Sequence, residues 1–317
     1  MDSGLKTKNP LLGWLGLVAI FIVAIVVAIV TGPGGLSFNS FFAFRLPRVF
    51  IGIVAGGVLG VIGGALQALL RNPLVDPWTL GVASGAALGA SLAVILKLNS
   101  TIFLPILAFL GAVLAIGIVY SLARGKSGLT VTRLVLAGII VSFFFSSLVL
   151  LLMVSGRRSL GEAVYLMMGH LGVVFTSRSL PLFIVSGLLA LAGCLWLLLH
   201  ARELDIISLS EEAALSLGVN VQFLTRMVFL IGSFTVGLVV AWTGAISFIG
   251  LVVPHLVRMM FGPRHSRVLP GSFLLGAGLL LFADAGARNI VPGGLPLSVI
   301  TALIGVPFFI YLLRTRL

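Results

Sequence analysis

Residues 51–70 read IGIVAGGVLGVIGGALQALL, twenty residues without a single charge. A helix of about 20 apolar residues is long enough to cross the hydrocarbon core of a bilayer. Gly52, Gly56, Gly60 and Gly64 recur every four residues, so they share one face of that helix. Such a smooth face lets two helix backbones approach closely where van der Waals packing drives association. The stretch therefore predicts a membrane span packed tightly against another helix.

The whole chain has the same character. Hydrophobic residues make up 60% of its 317 residues, charged residues 9%, and the mean hydropathy is +1.26. This composition excludes a soluble globule and predicts an all-α polytopic membrane protein, with residues 1–317 forming one transmembrane domain. We expect ten transmembrane helices, at 11–31, 48–70, 79–97, 102–122, 131–154, 180–199, 222–242, 246–260, 270–287 and 297–313.

Three segments depart from a simple span. Residues 11–31 are interpreted as a retained first span rather than a signal peptide, because they are long and lack a small-residue cleavage site. The short eighth span contains Pro254 and is expected to be broken or tilted, with His255 packing at the break. Residues 160–174 are too short to cross and predict a helix on the outer face.

The basic residues indicate the orientation of the chain. With an inside N-terminus, thirteen of the 20 Lys and Arg residues fall on the inner face and seven on the outer face. Cytoplasmic loops carry the excess of basic residues, so both termini are predicted to be cytoplasmic. The net charge of +12 is then mostly a topology signal and does not indicate nucleic-acid binding.

Four of the eight acidic residues lie within ten positions: Glu203, Asp205, Glu211 and Glu212. In the predicted topology they fall in a cytoplasmic loop at residues 204–219. Ser208 followed by Glu211 has the spacing of a capping box, and Gly218 is a typical helix stop, so a short helix is expected there. That helix is either a solvated loop helix or a contact for a soluble partner.

The chain has no obvious energy source of its own. It lacks a phosphate-binding Gly-x-x-x-x-Gly-Lys loop, a zinc motif and a serine-nucleophile elbow, and its single cysteine, Cys194, predicts neither a disulfide nor a metal site. Titratable groups near the predicted midplane are almost absent, since Asp284 is expected to pair with Arg288 near the outer end of the ninth span and Asp76 falls in an inner loop. Any transport work would be driven by an external partner.

Several blocks of sequence carry a resemblance to a known family. Arg45-Leu-Pro-Arg48, Gly63-Gly-Ala-Leu-Gln67 and Asn72-Pro-Leu-Val-Asp-Pro77 stand in the first half, and Gly244 to Arg258 and Leu295-Pro-Leu stand in the second. In this order the blocks resemble the FecCD-type permeases of ATP-binding-cassette (ABC) importers.

The resemblance implies a type II ABC importer permease fold with ten spans per subunit. It implies a homodimer with the translocation path at its two-fold axis, in the cytoplasmic membrane of a prokaryote. Two cytoplasmic ATPase subunits would bind ATP and Mg²⁺, no cofactor would be bound by this chain, and an extracytoplasmic binding protein would deliver substrate. The opposite directions of the second and seventh spans would suit an inverted repeat.

The cargo stays open in the sequence. An iron–siderophore chelate is our first hypothesis, and cobalamin or haem through the same machinery is the alternative. An ion-coupled secondary transporter is a remote alternative from another class, and an intramembrane enzyme is remoter still.

The resemblance also assigns candidate residues. Those matching the helix that contacts the ATPase are Ser208, Glu211, Glu212, Ala213, Leu217 and Gly218. Those at positions that pair with glutamates of the binding protein in a cobalamin-transporting member are Arg45, Arg48 and Arg288, whose alternative role is anchoring at the interface. Those expected at the gate and translocation path are Leu80, Ala83, Ser84 and His170.

Two further points concern these candidates, the first from the resemblance and the second from the predicted topology. Ala83 or Ser84 replaces an asparagine found in the cobalamin-transporting member, so the gate differs there. His170, Arg157 and Arg158 stand near the predicted outer mouth, where they either contact cargo or serve structural roles.

Overall fold

The computed structural model describes residues 10–31, 41–98, 101–125, 128–155, 168–291 and 294–315. The helices in these ranges are α1 (Pro10–Val30), α2 (Leu46–Leu69), α3 (Val82–Ile95), α4 (Phe103–Ala123), α5 (Val131–Ser155), α6 (Ser179–Leu199), α7 (Ala201–Ile207), α8 (Glu211–Ser216), α9 (Val221–Thr243), α10 (Ile249–Phe261), α11 (His265–Ile290) and α12 (Leu297–Thr315). A π-helical turn (Phe41–Arg45) precedes α2, a 3₁₀ turn (Pro77–Leu80) precedes α3, and β1 (Arg124–Gly125) pairs antiparallel with β2 (Gly128–Leu129).

The helix inventory of the described ranges agrees with the ten predicted spans. Seven helices are long and apolar enough to cross a bilayer, and α3, α10 and α12 are shorter apolar helices at the remaining predicted positions. The short eighth span is confirmed as α10, which has 13 residues with Pro254 inside it. At 1.5 Å per residue α10 is about 20 Å long, less than the thickness of the hydrocarbon core.

The glycine face of α2 packs against α11, as the four-residue spacing predicts. A Cβ atom on Gly56 would collide with the backbone of Gly276, and one on Gly60 would collide with the carbonyl oxygen of Ser272. The backbones of these two helices are thus in direct contact. α2 is the most buried of the seven long helices, because 83% of the residues in its most apolar stretch are buried inside the protein.

Helix directions define two ends of the molecule. Arg71, two residues after α2, bonds to Glu211 at the start of α8, and α9 begins shortly after α8. The C-terminus of α2 and the N-terminus of α9 therefore lie at one end, which we call the α8 end. Arg48, at the N-terminus of α2, bonds to Asp284 at the other end, which we call the Asp284 end. The predicted opposite directions of the second and seventh spans are confirmed.

Two connecting segments lie between the helices. Residues 72–74 are exposed, whereas Pro77 packs against Gly250 and the backbone of Thr79 and Leu80 packs against Gly138 within α5. The side chain of Asp76 lies among these contacts and is only partly exposed. Residues 169–176 are not helical, whereas the sequence predicts a helix over 160–174, and His170 N–H donates to the carbonyl oxygen of Thr243. The rest of the predicted outer-face helix, residues 160–167, lies outside the described residues, and so do Arg157 and Arg158.

Candidate functional site

The first candidate site is α8, a six-residue helix outside the long apolar helices. Its N-cap is Ser210, whose hydroxyl oxygen accepts the backbone N–H of Ala213 at 2.9 Å. The predicted cap at Ser208 is therefore wrong. Ser208 ends α7 instead, and its hydroxyl donates to the carbonyl oxygen of Asp205 at 2.7 Å.

The cap prediction was wrong because the acidic segment forms two helices rather than one. Glu203 and Asp205 belong to α7, and Glu211 and Glu212 occupy the first turn of α8. A capping hydroxyl reaches the N–H of the second or third helical residue, and from Ser210 that group is Ala213 N–H. Gly218 ends the segment as predicted, with φ of +80° and no atom near the position of a Cβ.

The acidic residues of α8 have different partners. Glu211 Oε1 accepts from Arg71 Nη2 at 3.0 Å, which ties α8 to the end of α2. Glu212 is fully exposed, and its pKa is lowered by hydrogen bonds from its own backbone N–H and from Ser210. Its carboxylate therefore stays ionised at neutral pH and faces solvent.

Apolar side chains accompany that exposed charge. Leu215 is 64% exposed and Leu217 is 65% exposed, whereas Ala214 is completely buried. The buried alanine seats the helix on the bundle, and the two leucines stand outside it. An exposed apolar patch beside a charge on a short helix is typical of a protein contact.

The second candidate site is a cluster at the Asp284 end. Asp284 is 1% exposed and accepts from Arg48 Nε at 3.0 Å and from Arg48 Nη2 at 2.8 Å. Arg288 Nε lies 3.0 Å from the other carboxylate oxygen, so the predicted pair with Arg288 is confirmed and Arg48 joins it. One buried carboxylate thus serves two guanidinium groups.

Arg288 and a third arginine, Arg45, also cap α1. Arg288 Nη1 donates to the carbonyl oxygen of Thr31 at 3.0 Å, and Arg45 Nη1 donates to that of Val30 at 3.1 Å. These carbonyls belong to the last turn of α1, where the helix dipole favours a cation. Arg45 is only 7% exposed, and the side chain of Arg48 is the most accessible of the three at 26%.

The third candidate site contains the residues predicted at the gate. Ala83 and His170 line one small cavity together with Leu104 and Val240. Leu80 is buried, and Ser84 donates its hydroxyl hydrogen to the carbonyl oxygen of Gly81 at 2.8 Å. Burial and the nearby Arg48 charge lower the pKa of His170 to about 4, so its ring is neutral near pH 7.

Comparison with known proteins assigns these features to a family. The model of the FecCD transport family matches residues 11–315, nearly the full chain. The chain belongs to the FecCD transport family. The fold class and the permease function predicted from sequence are thereby confirmed, and this FecCD protein is a membrane permease subunit of an ABC importer rather than an enzyme.

Individual relatives match this permease over most of its length. The hemin transport system permease protein HmuU of Yersinia pestis is 39% identical, over 90% of this chain and 86% of that protein. The cobalamin import system permease protein BtuC of Halobacterium salinarum is 38% identical, over 86% of this chain and 72% of that protein.

A solved structure has the same fold. It is an inward-facing conformation of a transporter assigned to the metal-chelate type of ABC transporter. The TM-score is 0.85 at 31% sequence identity, covering 96% of this chain and 99% of that chain.

The structure of the permease also contains polar residues to which no role was assigned from the sequence. Arg258 Nη1 donates to Gln67 Oε1 at 2.7 Å, and Gln67 Nε2 donates to the carbonyl oxygen of Gly250 at 3.2 Å. Asp76 accepts the backbone N–H of Phe248 at 3.1 Å. The available signal was a polar residue within an apolar segment, because such residues need partners inside the bundle.

Proposed function

We propose that this permease acts as a homodimer in the cytoplasmic membrane of a prokaryote, with both termini cytoplasmic, and imports an iron chelate. Two ATPase subunits, which bind ATP and Mg²⁺, would drive it, and an extracytoplasmic binding protein would feed it. The chain itself would bind no cofactor. The family match, the hemin and cobalamin importers among its relatives and the likeness to a metal-chelate transporter support this proposal.

The arrangement of α8 carries the proposal. Ala214 and the Arg71–Glu211 pair hold the helix against the bundle, while Glu212, Leu215 and Leu217 project outward. A short helix presenting apolar and acidic side chains suits a groove on an ATPase subunit. The residues assigned to this contact remain Ser208, Glu211, Glu212, Ala213, Leu217 and Gly218, and we add Leu215 because of its exposure.

The α8 contact is tested by the double variant Glu212→Arg with Leu215→Glu. Glu211 is left unchanged because its carboxylate already bonds to Arg71. We expect the ATPase subunits to be lost on purification while the permease dimer stays intact. Ser216→Ala on the same helix is the matched control and should retain them. Normal ATPase recovery and uptake in the double variant would contradict the proposed contact.

At the Asp284 end, we propose that Arg45, Arg48 and Arg288 contribute to docking of the binding protein. Their positive charge exceeds the single Asp284 carboxylate, which favours association with an acidic surface. Arg48→Gln is the most suitable test because Arg48 is the most accessible and the exchange adds no negative charge. Binding should weaken, with less dependence on ionic strength. Arg178→Gln, an exposed change of equal charge at this end, should have a smaller effect; equal effects would remove the docking role.

We propose that Leu80, Ala83, Ser84 and His170 border the path between the two copies. For His170→Ala we expect little change in uptake of most chelates, because the ring is neutral and partly buried. A large loss confined to haem would instead assign His170 as a haem contact.

Cargo and energy source are tested by uptake into vesicles. Ferric siderophores, haem and cobalamin are supplied separately to the complex with its binding protein, and an iron chelate should be transported most efficiently. Efficient cobalamin or haem uptake would favour the alternative cargo. Uptake driven by a proton gradient without ATPase subunits would contradict the importer proposal.

A further inference from the structure

The start of α11 is held by a residue far away in sequence. Asp205 Oδ1 accepts the backbone N–H of His265 at 2.7 Å and lies 2.7 Å from His265 Nδ1. The first N–H groups of a helix have no partner within it, and Arg264, the residue at the N-cap, makes no side-chain capping bond. Asp205 on α7 therefore caps α11 across the tertiary structure.

This contact is well shielded from water on one side. His265 is 4% exposed, and α7 itself is anchored by the buried side chains of Leu204 and Ile207. His265 Nε2 is buried without a hydrogen-bond partner in the part of the chain that the structure describes. The imidazole is thus oriented through Nδ1 and Asp205, and a carboxylate at a helix N-terminus also complements the helix dipole.

α8 is attached to α7 by a very short connection. Only Ser208, Leu209 and Ser210 separate the two helices, and Ser208 and Ser210 each hydrogen-bond to a neighbouring helix terminus. The position of α8 therefore follows that of α7. The Arg71–Glu211 pair gives additional support, but both its side chains are substantially exposed, and such pairs contribute little.

α11 connects the Asp205–His265 contact to the Asp284 end of the molecule. It runs from His265 past the backbone contacts with α2 to Asp284, and its 26 residues span about 39 Å at 1.5 Å per residue. α11 and α2 pack so closely at Gly56, Gly60 and Gly276 that a Cβ atom at any of these positions would collide with the backbone of the other helix. The α7 contact at one end is thus joined, through a closely packed helix pair, to the arginine cluster at the other.

We propose that Asp205 is a positioning residue for energy coupling, which holds α7 on the start of α11 so that movement of α8, passed on through α7, moves α11. The coupling part of this inference rests on the proposed contact between α8 and the ATPase. The positioning part concerns this chain alone.

Asp205→Leu tests the positioning role in the assembled complex. Hydrogen exchange of the amides in residues 208–219 should become about tenfold faster, because a bond to a buried group is lost, while residues 50–66 of α2 stay unchanged. Uptake per ATP hydrolysed, measured with whichever of ferric siderophore, haem or cobalamin the wild-type complex transports, should fall about five- to tenfold.

Two variants serve as controls. Asp205→Asn keeps an oxygen that can accept both His265 bonds and should restore most of the coupling. Glu203→Gln changes a neighbouring acid on α7 and should behave as the wild type in both measurements. Should Asp205→Leu fail to accumulate, His265→Phe removes the ring bond but keeps the backbone bond, and we expect a smaller change in the same direction.

The outcomes separate the two proposals. Wild-type exchange over residues 208–219 in Asp205→Leu would overturn the positioning role, whatever the ATPase does. Faster exchange with unchanged uptake per ATP would overturn the coupling role. ATPase subunits that stay bound to the Glu212→Arg, Leu215→Glu variant would refute the α8 contact, while the exchange measurement would still report on Asp205.

Discussion

Asp284 is the residue at which the charges of the Asp284 end are balanced. Its buried carboxylate contacts Arg48 and Arg288, and Arg288 and Arg45 also bond to the terminal carbonyls of α1. Burying several guanidinium groups is costly unless each finds a partner. In this cluster the partners are one carboxylate and the carbonyl groups at the end of α1. The cluster thereby joins α1, α2 and α11.

Replacing Asp284 should destabilise the protein strongly. For Asp284→Asn we expect a loss of about 3 kcal/mol, because removing one partner leaves buried charge without compensation. Thermal unfolding in detergent measures this, with Arg178→Gln as an exposed control that should change stability by less than about 0.5 kcal/mol. An unchanged transition in Asp284→Asn would mean that other groups neutralise the arginines.

At the scale of elements, α8 is a helix whose stability depends on contacts outside its own backbone hydrogen bonds. Six residues are too few for an isolated helix to be stable in water. Its order comes from the cap at Ser210, the buried Ala214 and the turn at Gly218. The cap and the turn are local, whereas Ala214 is buried against the bundle.

The position of the cap gives a direct test. Ser210→Ala should destabilise α8 by about 1 kcal/mol, because the N–H of Ala213 loses its acceptor. Hydrogen exchange at the first amides of α8 measures the effect. Ser208→Ala removes the serine that the sequence spacing favours as the cap, and it should leave these amides nearly unchanged. If Ser208→Ala accelerated exchange at these amides more than Ser210→Ala did, Ser208 would be the cap.

At the scale of the whole molecule, the packing of α2 on α11 sets the architecture. The helices touch through backbone atoms at Gly56, Gly60 and Gly276, and the contact runs through the centre of the bundle. Even one methyl group at these positions would collide with backbone atoms, which cannot move aside as a flexible side chain can. The same principle joins α3 to α4, where Gly85 meets the backbone of Gly111.

Gly56→Ala should therefore impair assembly of the bundle. We expect destabilisation of at least about 2 kcal/mol, since overpacking forces the two backbones apart. Gly16→Ala on α1 is the matched control, because its Cβ would meet nothing within 4 Å, and it should be neutral or slightly stabilising. Thermal unfolding of both variants in detergent decides between them; equal transitions would contradict the close approach.

The sequence by itself determined the membrane class, the ten apolar segments and the tight face of α2. These properties depend on composition and on spacing along one helix, and both are local. It also located the Asp284–Arg288 pair, since residues four apart on a helix are neighbours. The blocks that resemble FecCD permeases identified the family, which the comparisons confirmed.

Only the tertiary structure decided which distant residues meet. The cap of α11 by Asp205, the bond between Gln67 and Arg258 and the approach of Arg48 to Asp284 each join residues at least 60 positions apart. The packing of Pro77 on Gly250 is another contact between residues far apart in the sequence. Periodicity along one helix carries no information about which other helix lies beside it, so these contacts, and the mechanical link from α8 to the Asp284 end, become visible only when the helices are packed together.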